Sequence, residues 1–195
     1  MTTTATALMT AEQFFDWVHR PENAGKHFEL ERGRAVEVPR PGELHGATCH
    51  NVDFVLGLYI RQRDQGCVFV NDTGVIWERD PDTVRGPDVF YYSESKDFFE
   101  LNPKYTEHVP TLVVEVLSPN DRMGKVNASI AEFLRWGVSL VWLVDPEDRT
   151  VTVYRPDRAH TIYQADQELT GDEVLPDFRC RVADFFYMPG KKKMA

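Results

Sequence analysis

The apolar positions of this chain fall into short segments of helical or strand spacing. Thr10 and Gln13 stand at capping-box spacing, and Phe14, Trp17 and Val18 share one helical face, which predicts a helix over 10–19. HFELERGRAVEVP (27–39) reads as a hairpin turning at Gly33. Val52, Val55, Leu56 and Tyr59 recur at helical spacing within 44–63, and Gly66 stops that helix. CVFVNDTGVIWERD (67–80) reads as one strand interrupted at Asn71-Asp72-Thr73-Gly74, with a turn at Asp80-Pro81-Asp82. A short strand, GPDVFYYS (86–93), is entered through Pro87, and residues 94–108 form a polar, irregular surface excursion.

TLVVEVLS (111–118) reads as the central strand. A helix from about Asp121 to Trp136 follows, burying Val126, Ile130, Phe133 and Leu134. After Gly137, LVWLVDPEDRTVTVYRP gives two strands joined by a tight turn at Asp145–Arg149, and VADFF forms a last short helix. The order predicts an α/β or mixed α+β protein, a mixed sheet with helices on its faces. The strands at 111–117 and 140–144, linked by a crossover helix, are expected to be parallel. No repeat or linker is visible, so a single domain over 1–195 is expected, with 1–9 and 190–195 as flexible tails.

Glu115 breaks this pattern. It sits among Leu112, Val113, Val114, Val116 and Leu117, where burying an unpaired charge costs several kcal/mol. Asp88, entering the neighbouring strand, lies 27 positions earlier. Two carboxylates on adjacent strands can converge on one divalent ion, and Mg²⁺ takes one or two carboxylates together with waters and phosphate oxygens. Lys125, in the first turn of the following helix, is placed to bring an ammonium toward the end of the same strand. Taken singly, these residues also fit a turn aspartate, a structural ion pair with an arginine such as Arg85, and a surface lysine. Arg85, just before GPD, is a candidate phosphate contact as well. His50, Asp121 and Arg122 are weaker candidates, and Asp121 reads as a helix N-cap.

Composition narrows the function only in part. With 42% hydrophobic and 27% charged residues the 195-residue chain is of globular type, and no apolar run approaches the roughly 18 residues of a membrane span. The N-terminus has no basic flank leading into a long apolar stretch, and the three cysteines lack CxxC spacing. Cys49, Cys67 and Cys180 are therefore expected to be core or near-surface thiols in a cytoplasmic protein. A net charge of −9 argues against nonspecific nucleic-acid binding, while Lys191–Lys193 form the one dense basic run. There is no GxxxxGK[ST], GxGxxG, HExxH or GxSxG. Phe98-Phe99 and Phe185-Phe186 read as core or edge residues rather than base-stacking platforms.

GPDV, VVEVLSP, the helix ending in Gly137-Val138, and VWLVDPEDRTVTVYRP together resemble the Uma-type restriction endonucleases of the PD-(D/E)xK nuclease superfamily. The resemblance runs from FELERG to the 140–155 hairpin. It implies a restriction-endonuclease-like core, Mg²⁺ (or Mn²⁺) as cofactor, DNA as substrate and a homodimer. It also implies Asp88 and Glu115 as metal ligands, with the backbone carbonyl of Val116 completing the shell. Glu29 in FELERG matches the family's early acidic position, and His45 in LHG matches a position suited to proton relay or phosphate orientation. Two departures stand out. The superfamily's lysine position holds Leu117, and the family's alternative, eight residues before the GV pair, holds Ser129. Lys125 lies one helical turn before Ser129 and on the same face, so it is the expected substitute. Without it the alternative is an inactive nuclease-like module that binds nucleic acid or a protein partner.

Overall fold

A computed structural model describes residues 8–190; residues 1–7 and 191–195, including the Lys191–Lys193 run and most of the two expected tails, lie outside the described residues. In chain order the first elements are α1 (Ala11–Val18), β1 (His27–Glu31), β2 (Arg34–Val38), α2 (Glu43–Arg63), β3 (Cys67–Val70), β4 (Val75–Glu78), β5 (Thr83–Arg85) and β6 (Val89–Tyr92). There follow β7 (Leu112–Val116), α3 (Met123–Arg135), β8 (Leu140–Asp145), β9 (Thr150–Arg155), β10 (Arg158–Gln164), β11 (Glu168–Gly171) and β12 (Leu175–Arg181). They group into two compact units. The first comprises 8–40, 71–87 and 96–109, and the second 41–70, 88–95 and 110–190.

The first unit is an antiparallel sheet in the order β2-β1-β5-β4. Thr10 and Gln13 form the expected capping box on α1, satisfying two N-terminal donors. The helix buries Ala11 and Phe14 against Leu30, Ile76 and Val84. The β1–β2 turn has both central residues at positive φ, Arg32 at 47° and Gly33 at 77°, the twist that two-residue hairpins favour. Gly33 is also required by space, since a Cβ there would lie 2.6 Å from the Leu8 side chain.

Two local expectations fail in this unit. The stretch 67–80 is not one strand, because positive φ at Asn71 (61°) and Asp72 (53°) turns the chain, and β3 and β4 join different sheets. Phe98 and Phe99 are 78% and 93% exposed, on a single 3-10 turn whose Asp97 caps the Phe99 N–H, so they are not core.

A charge cluster ties α1 to this sheet. Arg79 bonds Glu12 (2.9 Å), Asp82 (2.7 Å) and Glu107, while the buried Asp82 carboxylate accepts the Ala11 N–H at 2.7 Å. Burial works to raise the pKa of Asp82, yet the Ala11 N–H and Arg79 outweigh it and hold the carboxyl below its usual range. The hydrogen bond from Arg79 leads the effects that lower Glu12 from 4.5 to about 2. A depressed folded pKa contributes stability above the unfolded value that is lost as pH falls through the folded one. The destabilisation caused by Arg79→Gln is therefore expected to shrink between pH 4.5 and about 2, read from denaturant midpoints across that range. A gap that stays constant with pH would contradict it.

The second unit holds a six-stranded mixed sheet, β10-β9-β8-β7-β6-β3, and the β11–β12 ribbon. In this sheet β7 pairs with β8 in parallel, joined through α3 as the crossover pattern requires. Leu112, Val114 and Val116 pack in one cluster with Val52 and Leu56 of α2, and the alternate residue Val113 is equally buried, so β7 is covered on both faces. Trp142 of β8 lies in the same cluster, against Phe178 and Phe185. The crossover helix is shorter than read from sequence. Its N-cap residue is Arg122, because Asp121 is drawn into the preceding turn, where its carboxylate accepts the Ser118 N–H at 2.7 Å. Of its apolar residues Ile130 and Phe133 are buried, and Val126 and Leu134 half-buried. Among the described residues no helix is long and apolar enough to cross a membrane.

Candidate active site

GPD delivers Asp88 to the edge of β6. Gly86 passes so close to the Asp72 carbonyl that a Cβ would sit 2.2 Å from its oxygen, which leaves room for glycine alone. Pro87 follows, and Asp88 is the last residue before the strand. Val89 pairs with Val114 across the antiparallel β6–β7 ladder, so the next step along each chain brings Asp88 beside Glu115. The Val116 N–H donates to Asp88 Oδ2 at 2.7 Å, which fixes that approach.

The other carboxylate oxygen faces α2. His45 Nε2 lies 3.2 Å from Asp88 Oδ1, and the two side chains are only 10% and 14% exposed. A carboxylate only accepts, so in the neutral imidazole Nε2 carries the hydrogen and Nδ1 keeps its lone pair. Nδ1 in turn lies 3.4 Å from the Cys49 sulfur, one helical turn further along α2. His45, Cys49 and Asp88 thus each present a ligand-type atom, all within 4.8 Å of one another.

Glu115 is half-buried on β7, in register with Leu143 of β8. Leu117, where the superfamily has lysine, donates its N–H to the Val144 carbonyl at 2.9 Å. Lys125 is exposed in the first turn of α3, its N–H bonded to the Arg122 carbonyl, and it forms no ion pair among the described residues. Glu29 and Arg85 belong to the first unit. Glu29 is half-buried on β1 opposite Val36, and Arg85, ending β5, has its guanidinium 4.0 Å from Glu31. His50 is exposed on α2, its ring 6.5 Å from that of Phe54.

Read from sequence as a core or near-surface thiol, Cys49 is not expected beside His45 and Asp88, where it stands. The signal was present: His45 and Cys49 are four residues apart in a segment already read as helix, and so share its face.

A family model named Uma2 and described as "Putative restriction endonuclease" matches residues 11–183. The chain belongs to that family. A crystal structure described as "a putative nuclease belonging to DUF820 from Anabaena variabilis ATCC 29413" superposes with a TM-score of 0.74 at 21% identity, covering 91% of this chain and 97% of that one. The likeness shows the restriction-endonuclease-like fold. No curated protein matches the chain. Membership of the Uma2 family supports a nuclease function, a hydrolase acting on nucleic acid.

Proposed function

We propose that this Uma2-family chain is a Mg²⁺-dependent endonuclease that hydrolyses DNA phosphodiester bonds, with Mn²⁺ able to substitute. The observation that carries the reading is the ladder register that brings Asp88 beside Glu115, with Asp88 fastened to the Val116 backbone. Two carboxylates and the Val116 carbonyl make a set of hard oxygen donors, the chemistry Mg²⁺ requires. A divalent ion held by them supplies Lewis acidity, lowering the pKa of a bound water and offsetting charge on the phosphate.

The rest falls to the chain itself. The hydrogen bond from the Val116 N–H and the nearby His45 Nε2 orient the Asp88 carboxylate before any ion arrives. Glu115 supplies the second negative charge from a strand too well packed to let it drift. Lys125 provides the ammonium that orients the attacking water. The same reading expects a homodimer, each copy cutting one strand, in the cytoplasm. Plasmid nicking in Mg²⁺ and Mn²⁺ tests it, and a purified protein that leaves supercoiled DNA intact with both ions would refute it.

Leu117 at the superfamily's lysine position favours a second reading, a module that binds nucleic acid or a protein without cutting. Lys125→Ala separates the two. If Lys125 acts, nicking falls by about 10²–10³-fold, the usual loss for one electrostatic stabiliser, while Mn²⁺ affinity stays unchanged. Equal nicking in variant and wild type would leave Lys125 without a role.

A further inference from the structure

The three thiols of this chain have different surroundings. Cys67 points its sulfur at the Glu94 carbonyl, 3.5 Å away. Burial, the leading cause, pushes the Cys180 thiol up to about 12, which keeps it protonated and a poor ligand. Among the described residues it is Cys49 that stands with an imidazole and a carboxylate.

We infer that His45, Cys49 and Asp88 form a second divalent-ion site, selective for zinc-like ions and sharing Asp88 with the oxygen-donor site. Nitrogen, sulfur and oxygen donors together suit Zn²⁺ or Co²⁺ and not Mg²⁺, which takes no thiolate. In a tetrahedral zinc shell, bond lengths near 2.0–2.3 Å put neighbouring donor atoms about 3.3–3.8 Å apart. The two contacts here are 3.2 Å (His45 Nε2 to Asp88 Oδ1) and 3.4 Å (His45 Nδ1 to Cys49 Sγ). They lie on different ring nitrogens, so capture of an ion by one nitrogen requires a side-chain turn at Cys49 or Asp88. The separation to be closed is already no more than 4.8 Å. Three protein donors leave a fourth position for water. On binding, the Cys49 S–H bond breaks, the sulfur lone pair goes to the ion, and the proton is released to solvent.

The site also couples to the proposed nuclease centre, and this part rests on that reading. Asp88 holds the Val116 N–H at Oδ2 and faces His45 with Oδ1, so an ion taken up at Oδ1 competes for that oxygen with an ion beside Glu115. A zinc-like ion would therefore displace the Mg²⁺ or Mn²⁺ beside Glu115.

The test is Co²⁺ titration of metal-free, reduced, full-length protein. Wild type is expected to show a near-ultraviolet thiolate-to-cobalt charge-transfer band at one equivalent. Cys49→Ser should abolish the band and weaken Zn²⁺ binding by at least about 100-fold, at or beyond the upper end of losses from outer-shell partners. Glu115→Gln should leave the band in place, and Asp88→Asn should weaken it. A band that persists in Cys49→Ser, or none in wild type, overturns the site; circular dichroism melts confirm that each variant is folded. Mn²⁺ electron paramagnetic resonance supplies the second arm, since one equivalent of Zn²⁺ should release bound Mn²⁺ from wild type and not from Cys49→Ser. Co²⁺ binding through Cys49 in a protein that never binds Mn²⁺ would uphold this site and count against the nuclease reading. Mn²⁺ binding with no cobalt band would do the reverse.

Discussion

Asp88→Asn and Glu115→Gln are each expected to lower Mg²⁺-dependent plasmid nicking by at least about 10³-fold, at or above the 10²–10³ lost when a single stabilising donor is removed. Each change keeps the side chain's shape and deletes one of two charges in the proposed metal shell. The controls lie in the different ties of the two residues. Asp88 accepts a hydrogen bond from the Val116 N–H at Oδ2, and His45 Nε2 faces its Oδ1 at 3.2 Å. The amide in Asp88→Asn keeps one acceptor oxygen for these two donors, so this variant should lose some stability as well as activity, because a buried donor left unmade costs about 1–3 kcal/mol. Glu115 lies half-buried on the central strand, and Glu115→Gln keeps its size and shape there. Loss of nicking with unchanged urea midpoint in Glu115→Gln would separate chemistry from folding. Nicking within tenfold of wild type in both variants contradicts the proposed roles.

The largest stability effect is expected at Trp142. Its side chain is fully buried on β8, with ring centroids 5.6 Å from Phe178 and 6.0 Å from Phe185. It therefore joins the large sheet to β12 and to the 3-10 turn Val182–Phe186. Trp142→Ala is expected to cost about 3–5 kcal/mol, a large share of the roughly 5–15 kcal/mol by which a typical domain is stable. The indole N–H is buried without a hydrogen-bond partner among the described residues. Phenylalanine would remove that unsatisfied donor while keeping most of the ring, so Trp142→Phe should cost less than about 2 kcal/mol. Urea midpoints at unchanged m-value give both numbers. A Trp142→Ala cost below that of Trp142→Phe would contradict the packing account.

What was legible in the sequence follows from how local each signal is. The capping box of α1, the hairpin at Gly33 and the parallel β7–β8 pair rest on spacings of a few residues, or on one crossover, and all three are present. Residues 67–80 misread because Asn-Asp-Thr-Gly marks a turn without stating whether the chain rejoins the same sheet. β5 escaped notice because three residues, Thr83–Arg85, carry too little alternation to register. Each unit is assembled from three separate stretches of chain, so no linker composition could mark a boundary. At the site, Glu115 was conspicuous because charge is rare in an apolar strand, and Asp88 followed from GPD. The register that sets them side by side is a long-range property that no local pattern encodes. The His45-Cys49 spacing went unread as a site because Asp88, the carboxylate that joins them, lies 39 positions from Cys49. The Asp121 cap failed because that carboxylate serves its own turn first.

The central claim is that Asp88 and Glu115 together hold a divalent ion. Anomalous diffraction from crystals soaked in Mn²⁺ tests it most directly, because manganese is identified by its own scattering. The account predicts one strong peak within coordination distance of both carboxylates and the Val116 carbonyl. Fully occupied manganese elsewhere, with none between Asp88 and Glu115, would contradict it.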